Sequence, residues 1–338
     1  MFKRLILPLI LILTLNFVSC VRLDDFVSTS YVAKFSVFAM DTFIDIRTNS
    51  IPDKGVFENC ETIIKETEKS ISKTTPASDI YKLNNSDNMK VRLNDTALAL
   101  VKLGFEVNEE TNGAFDITLE PVIKLWNLKS EEFIPPQDTE ISKALSLKGA
   151  DKFSFDGNNV IKNNPHSEID LGGIGKGYAL EKVTNYLSSE GLSGYVSFGG
   201  SIGVFGNKKN GEKWNIGVKS PFDETGNIGI LKLDKGFVSV SGAYERNATY
   251  NGILYHHIID PCTGYPAVTD IASSVVICDN GALSDALSTA LFVMGSENAL
   301  NFYKSGEYEF EAIIIKNDGE IILTDKLKQS GDFTPESN

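Results

Sequence analysis

From Asp151 onward the chain is a succession of short apolar runs punctuated by Gly, Asn and Asp, and this spacing limits the folds open to it. The runs at 152–155, 160–162, 195–198, 214–218, 228–233 and 237–240 have strand length and end on residues that turns require. Two helical stretches interrupt them, 176–190 and 284–294, and segments 311–315 and 321–323 flank the hairpin signal Asn317-Asp318-Gly319. Upstream, 31–47 contains strand-like alternation (Thr42-Phe43-Ile44-Asp45-Ile46), while 56–71 and 96–110 carry apolar residues at helical spacing. Strands and helices do not alternate regularly, so the pattern predicts an α+β fold of mixed or antiparallel sheets with packed helices.

A chain of 338 residues with 42% hydrophobic and 23% charged residues can bury a core without metals or disulfides. Any metal would then serve chemistry. The formal net charge of −13, with no basic stripe beyond scattered lysines such as Lys208, Lys209, Lys213 and Lys219, argues against nucleic acid as a partner. A negatively charged substrate must be met locally, by a cation or by backbone amides.

The chain opens with Lys3 and Arg4, an apolar run from Leu5 to Leu15, and small or polar residues ending at Cys20, the pattern of a secretory signal peptide. Phe17-Val18-Ser19-Cys20 resembles a bacterial lipobox, which implies lipid modification of Cys20 and anchoring to a membrane facing the periplasm or cell exterior. A plain cleaved signal and an uncleaved anchor are the alternatives, and both place the protein outside the cytoplasm. The remaining Cys60, Cys262 and Cys278 have no CxxC spacing and form no disulfide framework.

Five segments carry candidate chemistry. Ile169-Asp170-Leu171-Gly172-Gly173-Ile174-Gly175-Lys176-Gly177-Tyr178 reads as a strand end and glycine-rich turn opening a helix, suited to phosphate but equally to a plain tight turn. Asp285 and Thr289 lie one helical turn apart in an otherwise apolar helix, so two hard oxygens share one face. A carboxylate there needs a partner or a cation, although a first-turn charge favoured by the helix dipole is the bland alternative. His256 and His257 precede the turn Asp260-Pro261-Cys262-Thr263-Gly264, where a histidine is a candidate general base or a structural residue. Segments 112–121 and 239–246 are, singly, ordinary polar loops.

Taken in order, Met40-Asp41-Thr42, Gly113-Ala114-Phe115-Asp116, Asp170 to Gly177, Ser197-Phe198-Gly199-Gly200-Ser201-Ile202, Ser241 to Arg246, His257 to Tyr265 and Asp285 to Thr289 resemble the FAD:protein FMN transferase family, also called the ApbE or thiamine-biosynthesis lipoprotein family. The resemblance covers nearly all of the chain after the leader. It implies one compact T-fold-related catalytic domain at 36–326, preceded by a signal peptide at 1–19 and a lipidated tether at 20–35, and followed by a polar tail at 327–338.

It also implies Mg²⁺ ligands at the Asp285 carboxylate, the Thr289 hydroxyl and the Gly175 carbonyl. FAD, the substrate, would lie against Met40, Ala114, Phe115, Asp116, Gly172, Lys176, Tyr178, Glu245, His257, Ile258 and Ile259. The implied reaction cleaves the FAD pyrophosphate, attaches FMN to a threonine of a partner protein and releases AMP, with His257 as base and Asp116 positioning or assisting. Partners in the family are subunits of membrane redox complexes such as sodium-translocating quinone reductase. Two positions depart from the pattern. Cys262 stands where an arginine is frequent, and Thr74 where several members stack a tyrosine on adenine, which bears on the balance between transfer and hydrolysis to FMN and AMP. A non-catalytic FAD-binding lipoprotein is a reading of another class, and an adhesin or solute-binding lipoprotein would need none of Asp285, Thr289 or His257.

Overall fold

A computed structural model describes residues 31–208, 211–223 and 225–336. The expected signal peptide, Cys20 and the tether as far as residue 30 lie outside the described residues. A hairpin of β1 (Ala33–Ala39) and β2 (Thr42–Thr48) leads into α1 (Val56–Ile71), α2 (Asp79–Asn85), β3 (Lys90–Arg92) and α3 (Asp95–Glu110). Two short helices, α4 (Glu120–Trp126) and α5 (Asp138–Leu145), precede β4 (Phe153–Asp156) and β5 (Asn159–Lys162). Next come α6 (Gly172–Ser189), β6 (Gly194–Phe198), β7 (Ser201–Phe205), β8 (Trp214–Lys219), β9 (Asn227–Leu233) and β10 (Gly236–Gly242). The hairpin β11 (Asn247–Tyr250) and β12 (Ile253–His256) separates β10 from β13 (Ile271–Cys278). Last are α7 (Gly281–Ser305), β14 (Glu311–Lys316), β15 (Ile321–Leu323), α8 (Asp325–Ser330) and β16 (Phe333–Pro335).

Eight strands form one antiparallel sheet in the order β1-β2-β6-β7-β10-β13-β14-β15. Its central strands are covered on both faces, which is why β6 and β7 are buried at every position rather than alternating. On one face Ile44, Ile46, Val196 and Phe198 pack with Ile64 of α1 and Val183 of α6. On the other, Val204, Val238, Val275 and Ile313 meet Trp214, Ile216 and Leu231 of a three-stranded sheet ordered β16-β9-β8. Helices α6 and α7 lie side by side on the helical face, and their ends nearest each other build the site.

The α+β expectation holds, and the structure moves several boundaries. Helix α6 opens at Gly172 rather than 176, so the glycine run is its first turn and not a loop before it. Helix α7 begins at Gly281 and continues past 294 to Ser305 across a break at Gly295 (φ 77°, ψ 163°). Ordered structure starts ahead of residue 36: β1 begins at Ala33, and the Tyr31 ring meets Tyr195 edge-on at 5.1 Å. The segment expected as a polar tail instead contains α8 and β16, because Leu327 and Phe333 are buried against the small sheet and β16 pairs with β9. Among the described residues no helix is long and apolar enough to cross a membrane.

Candidate active site

The β1–β2 turn places the first site residues. Register pairing of Ala39 with Thr42 leaves a two-residue loop, Met40-Asp41, and both residues have left-handed φ (52° and 59°). Such loops normally use Asn or Gly, so methionine here costs about 1 kcal/mol that surrounding contacts must offset. Those contacts are visible: the Met40 N–H donates to Glu68 Oε1 at 3.1 Å, and Lys129 Nζ lies 2.9 Å from Asp41 Oδ2. The Lys129 hydrogen bond, together with the fields of Arg246 and Lys73, holds the Asp41 carboxyl below its usual range.

Segment 112–121 follows α3. Asn112 and Gly113 take left-handed φ of 51° and 80°, and the chain turns back so that the Asn108 amide donates to the Phe115 carbonyl at 2.7 Å. Phe115 is buried, and its ring lies against Gly173. Asp116 has partners for both oxygens. Oδ1 accepts from the Thr118 N–H and hydroxyl at 2.8 and 2.6 Å, and Oδ2 pairs with Lys148 at 3.3 Å. Asp116 therefore fixes its loop, which favours the positioning side of its expected role.

The glycine segment is held from outside. The Asn84 amide bonds both the N–H and the C=O of Ile169, Asp170 N–H donates to the Ile117 carbonyl at 2.8 Å, and Asp170 Oδ1 caps the Gly172 N–H at 2.8 Å. Further along α6, a Cβ on Gly177 would sit 2.0 Å from the Gly281 carbonyl oxygen, so only glycine lets α6 and α7 approach this closely. That approach delivers Asp285. Its Oδ2 accepts from the Gly177 N–H at 2.9 Å and lies 3.7 Å from Lys176 Nζ, with the residue only 6% exposed. Lys176 Nζ also donates to the Gly172 carbonyl at 3.1 Å.

One turn on, Thr289 Oγ1 lies 3.3 Å from Ser241 Oγ. A seam of hydroxyls joins β10 to α7 here: Ser239 meets Ser284 at 2.8 Å, Ser241 meets Ser288 at 2.8 Å, and the Ser288 hydroxyl donates to the Asp285 carbonyl. This seam was absent from the sequence-derived candidates. Its signal is Ser239 and Ser241 two apart on a strand, matched by Ser284 and Ser288 four apart on a helix. Among the described residues no cluster of three or more His, Cys, Asp or Glu side chains could hold a metal. The Asp285 carboxylate and, one turn on, the Thr289 hydroxyl are hard oxygen donors, whose chemistry would suit a divalent cation.

His257 closes the site from the β12 side. Its N–H donates to the Arg246 carbonyl at 3.0 Å, and ring Nδ1 lies 3.3 Å from the same oxygen. Nδ1 then carries the hydrogen and Nε2 keeps its lone pair. Loss of water around the half-buried ring, reinforced by the Arg246 and Lys176 cations and by His256, depresses its pKa to about 3. The imidazole is neutral at physiological pH and can accept a proton, but a pKa this far below 7 makes it a weak base until a bound anion raises it. Ile258 and Ile259 are buried, and the following turn is fixed by Asp260, which accepts from Cys262 N–H at 2.8 Å and the Thr263 hydroxyl at 3.0 Å. Cys262 itself is exposed.

The sequence candidates are thus brought together in part. Gly172, Gly175 and Lys176 share one helix end, Asp285 and Thr289 face it from α7, and Phe115 packs on it. The field of Arg246 reaches both His257 and Asp41, and Glu245 is half-buried beside it. Tyr178 is the exception. It projects from another face of α6, with Lys182 Nζ 5.2 Å from its ring centroid, and lines a groove with Ile63, Thr67, Asn94 and Thr96.

The family model of the ApbE family matches residues 40–314. The chain belongs to the ApbE family. Among relatives, it is 28% identical over 262 residues to the FAD:protein FMN transferase of Vibrio cholerae, covering 76% of this chain and 78% of that one. It is 30% identical over 265 residues to the FAD:protein FMN transferase of Treponema pallidum, covering 72% and 73%. Among solved structures, the ApbE protein of Thermotoga maritima superposes with a TM-score of 0.81 at 33% identity, covering 88% of this chain and 98% of that one. The flavin transferase ApbE of Vibrio cholerae gives 0.79 at 25% identity, with the same coverage. The segments from Met40 to Thr289 that carry the resemblance all fall inside the matched region.

Proposed function

We propose that this chain is a Mg²⁺-dependent FAD:protein FMN transferase that moves FMN from FAD to a threonine of a partner protein and releases AMP. The observation that carries the proposal is the convergence of the α6 glycine turn, the buried Asp285 with Thr289, and a neutral His257 in a chain whose relatives are FAD:protein FMN transferases.

Asp285, Thr289 and the Gly175 carbonyl would hold the cation, and Mg²⁺ there would offset charge on the pyrophosphate. His257 Nε2 takes the proton from the acceptor hydroxyl. The hydroxyl oxygen bonds to the FMN-side phosphorus, and the bond from that phosphorus to the bridging oxygen breaks, leaving AMP with that oxygen. Lys176, next to Asp285, adds positive charge at the helix end where phosphates would lie.

The lipobox-like Cys20 supports an exported protein anchored to a membrane, which would place the site beside acceptor subunits of membrane redox complexes. The test is incubation with FAD and Mg²⁺, with and without an acceptor domain bearing a candidate threonine, followed by flavin fluorescence on a denaturing gel. Covalent flavin on the acceptor, lost when that threonine is replaced by alanine, is the expected result. FMN and AMP in solution with no labelled acceptor would reassign the chain as an FAD pyrophosphatase, and FAD retained without AMP release would make it a binding protein.

A further inference from the structure

Beside the site lies an ion cluster that the proposed chemistry does not use. Lys73 Nζ is 2.5 Å from Glu120 Oε2 and 2.8 Å from Asp170 Oδ2. The three residues come from three separate segments: the loop after α1, the first position of α4, and the residue before the α6 N-cap. Each segment leads directly into the site. Asp170 caps Gly172 through its other oxygen and bonds the Ile117 carbonyl through its N–H. Glu120 ends the segment that carries Phe115 and Asp116.

The energetics make the lysine indispensable to this arrangement. The Glu120 side chain is 2% exposed, so its carboxylate cannot be solvated by bulk water and depends on the ammonium. Burial alone would depress the Lys73 pKa, but Asp170 and Glu120 outweigh it and hold it above its ordinary value. The side chain remains 28% exposed, and its field reaches Asp41 in the Met40-Asp41 turn. Lys73 therefore stands at the wall of the site and is tied to its framework.

We propose that Lys73 is a positioning residue for the dinucleotide, locking the α6 glycine turn against the 114–117 loop by joining Asp170 to Glu120. This rests on FAD being the substrate. Removing the ammonium leaves Asp170 and Glu120 with no cation between them, so the two segments are no longer joined, the turn loses its set and the nucleotide its fit.

The cluster also carries a signature that a purely structural tie would lack. Lys73, Glu120 and Asp170 together hold one excess negative charge, with Lys124 at 3.9 Å from Glu120 and itself paired to Glu168. Burial first, and then Asp170, push Glu120 up to about 7 against the opposing lysines. Between about pH 8 and about pH 6 Glu120 gains a proton and gives up its ionic half of the tie to Lys73, so the α6 turn is held less firmly and the dinucleotide binds less tightly.

The experiment uses the full chain with FAD and Mg²⁺, measuring FAD Kd by flavin fluorescence, KM and kcat for AMP release, and melting temperature. Lys73→Met is expected to raise Kd and KM about tenfold with kcat within about twofold, and Lys73→Arg to restore both. In the wild type KM for FAD rises several-fold from pH 8 to pH 6, and Glu120→Gln removes that dependence. Wild-type Kd and KM in a folded Lys73→Met protein overturn the inference and leave the transferase proposal standing. If Lys73→Met does not fold, the pH arm decides: a dependence unchanged in Glu120→Gln overturns the inference. A wild-type protein that binds no FAD overturns both.

Discussion

Asp285 is a carboxylate at 6% exposure whose recorded partners are one backbone N–H and an ammonium 3.7 Å away. A charge so placed is costly unless the site uses it. Asp285→Asn keeps the shape and can still offer an oxygen to the Gly177 N–H, so the melting temperature should change little. AMP release from FAD should nevertheless fall on the order of a hundredfold or more, because the amide is a far weaker cation ligand. Unchanged turnover would remove Asp285 from the chemistry. His257 makes a second residue-level prediction. An unfolded histidine takes its proton near pH 6.5, whereas the folded ring resists protonation down to about 3. This residue's contribution thus makes the fold less stable as pH drops from 6.5 towards 3, and has no effect above that window. NMR of the ring nitrogens in the substrate-free protein should show one neutral tautomer, with hydrogen on Nδ1, from about pH 8 to about pH 5. A midpoint near 6.5 would mean that the half-buried ring keeps its hydration and does not feel the Arg246 and Lys176 cations. Both residues were legible in the sequence, Asp285 as a charge on an apolar helix and His257 through the ordered blocks around it. The separation of Tyr178 from them was not legible, because neighbours on a helix diverge by about 100° per residue and a segment-level match does not specify the face.

The contact between α6 and α7 is the element on which site geometry turns, since it alone brings Asp285 to the glycine end. Gly177→Ala places a methyl 2.0 Å from a backbone oxygen that cannot rotate away, and the reciprocal Gly281 contact at 2.4 Å is equally closed. The two helices must part, at a cost of about 1–3 kcal/mol or more. Thermal denaturation should report that loss, and FAD cleavage should fall further than stability does because the Asp285 hydrogen bond is the first to lengthen. An alanine variant with wild-type melting and turnover would show that the helices do not depend on this approach. The sequence predicted both helices by their apolar spacing and placed α1 to the residue. It missed the starts of α6 and α7 because glycine, read as a turn former, here serves close helix packing. It also missed β13, whose serines at 273 and 274 interrupt an apolar run yet are fully buried in the central sheet. The ion cluster of Lys73, Glu120 and Asp170 was invisible for a plainer reason: its members are 47 and 97 residues apart along the chain, and only the fold brings them together.

At the scale of the molecule, stability resides in the layers of side chains between the main sheet, the helices and the small β16-β9-β8 sheet, none of which needs a metal. Chelation of divalent cations should therefore abolish AMP release while leaving the melting temperature of the substrate-free protein within a few degrees. Adding FAD with Mg²⁺ should raise it, by about 2.7 kcal/mol of stabilisation at a hundredfold excess over Kd. Global unfolding on chelation would mean that the cation is structural. Strand β1 connects this architecture to its surroundings. It lies at the outer edge of the eight-stranded sheet, begins at Ala33, and ends at the Met40-Asp41 turn. Seven residues of extended chain span roughly 20 Å. Because β1 is paired with β2 along its whole length, a pull on the chain at Ala33 is shared by the sheet before it can disturb the Met40-Asp41 turn at the strand's far end.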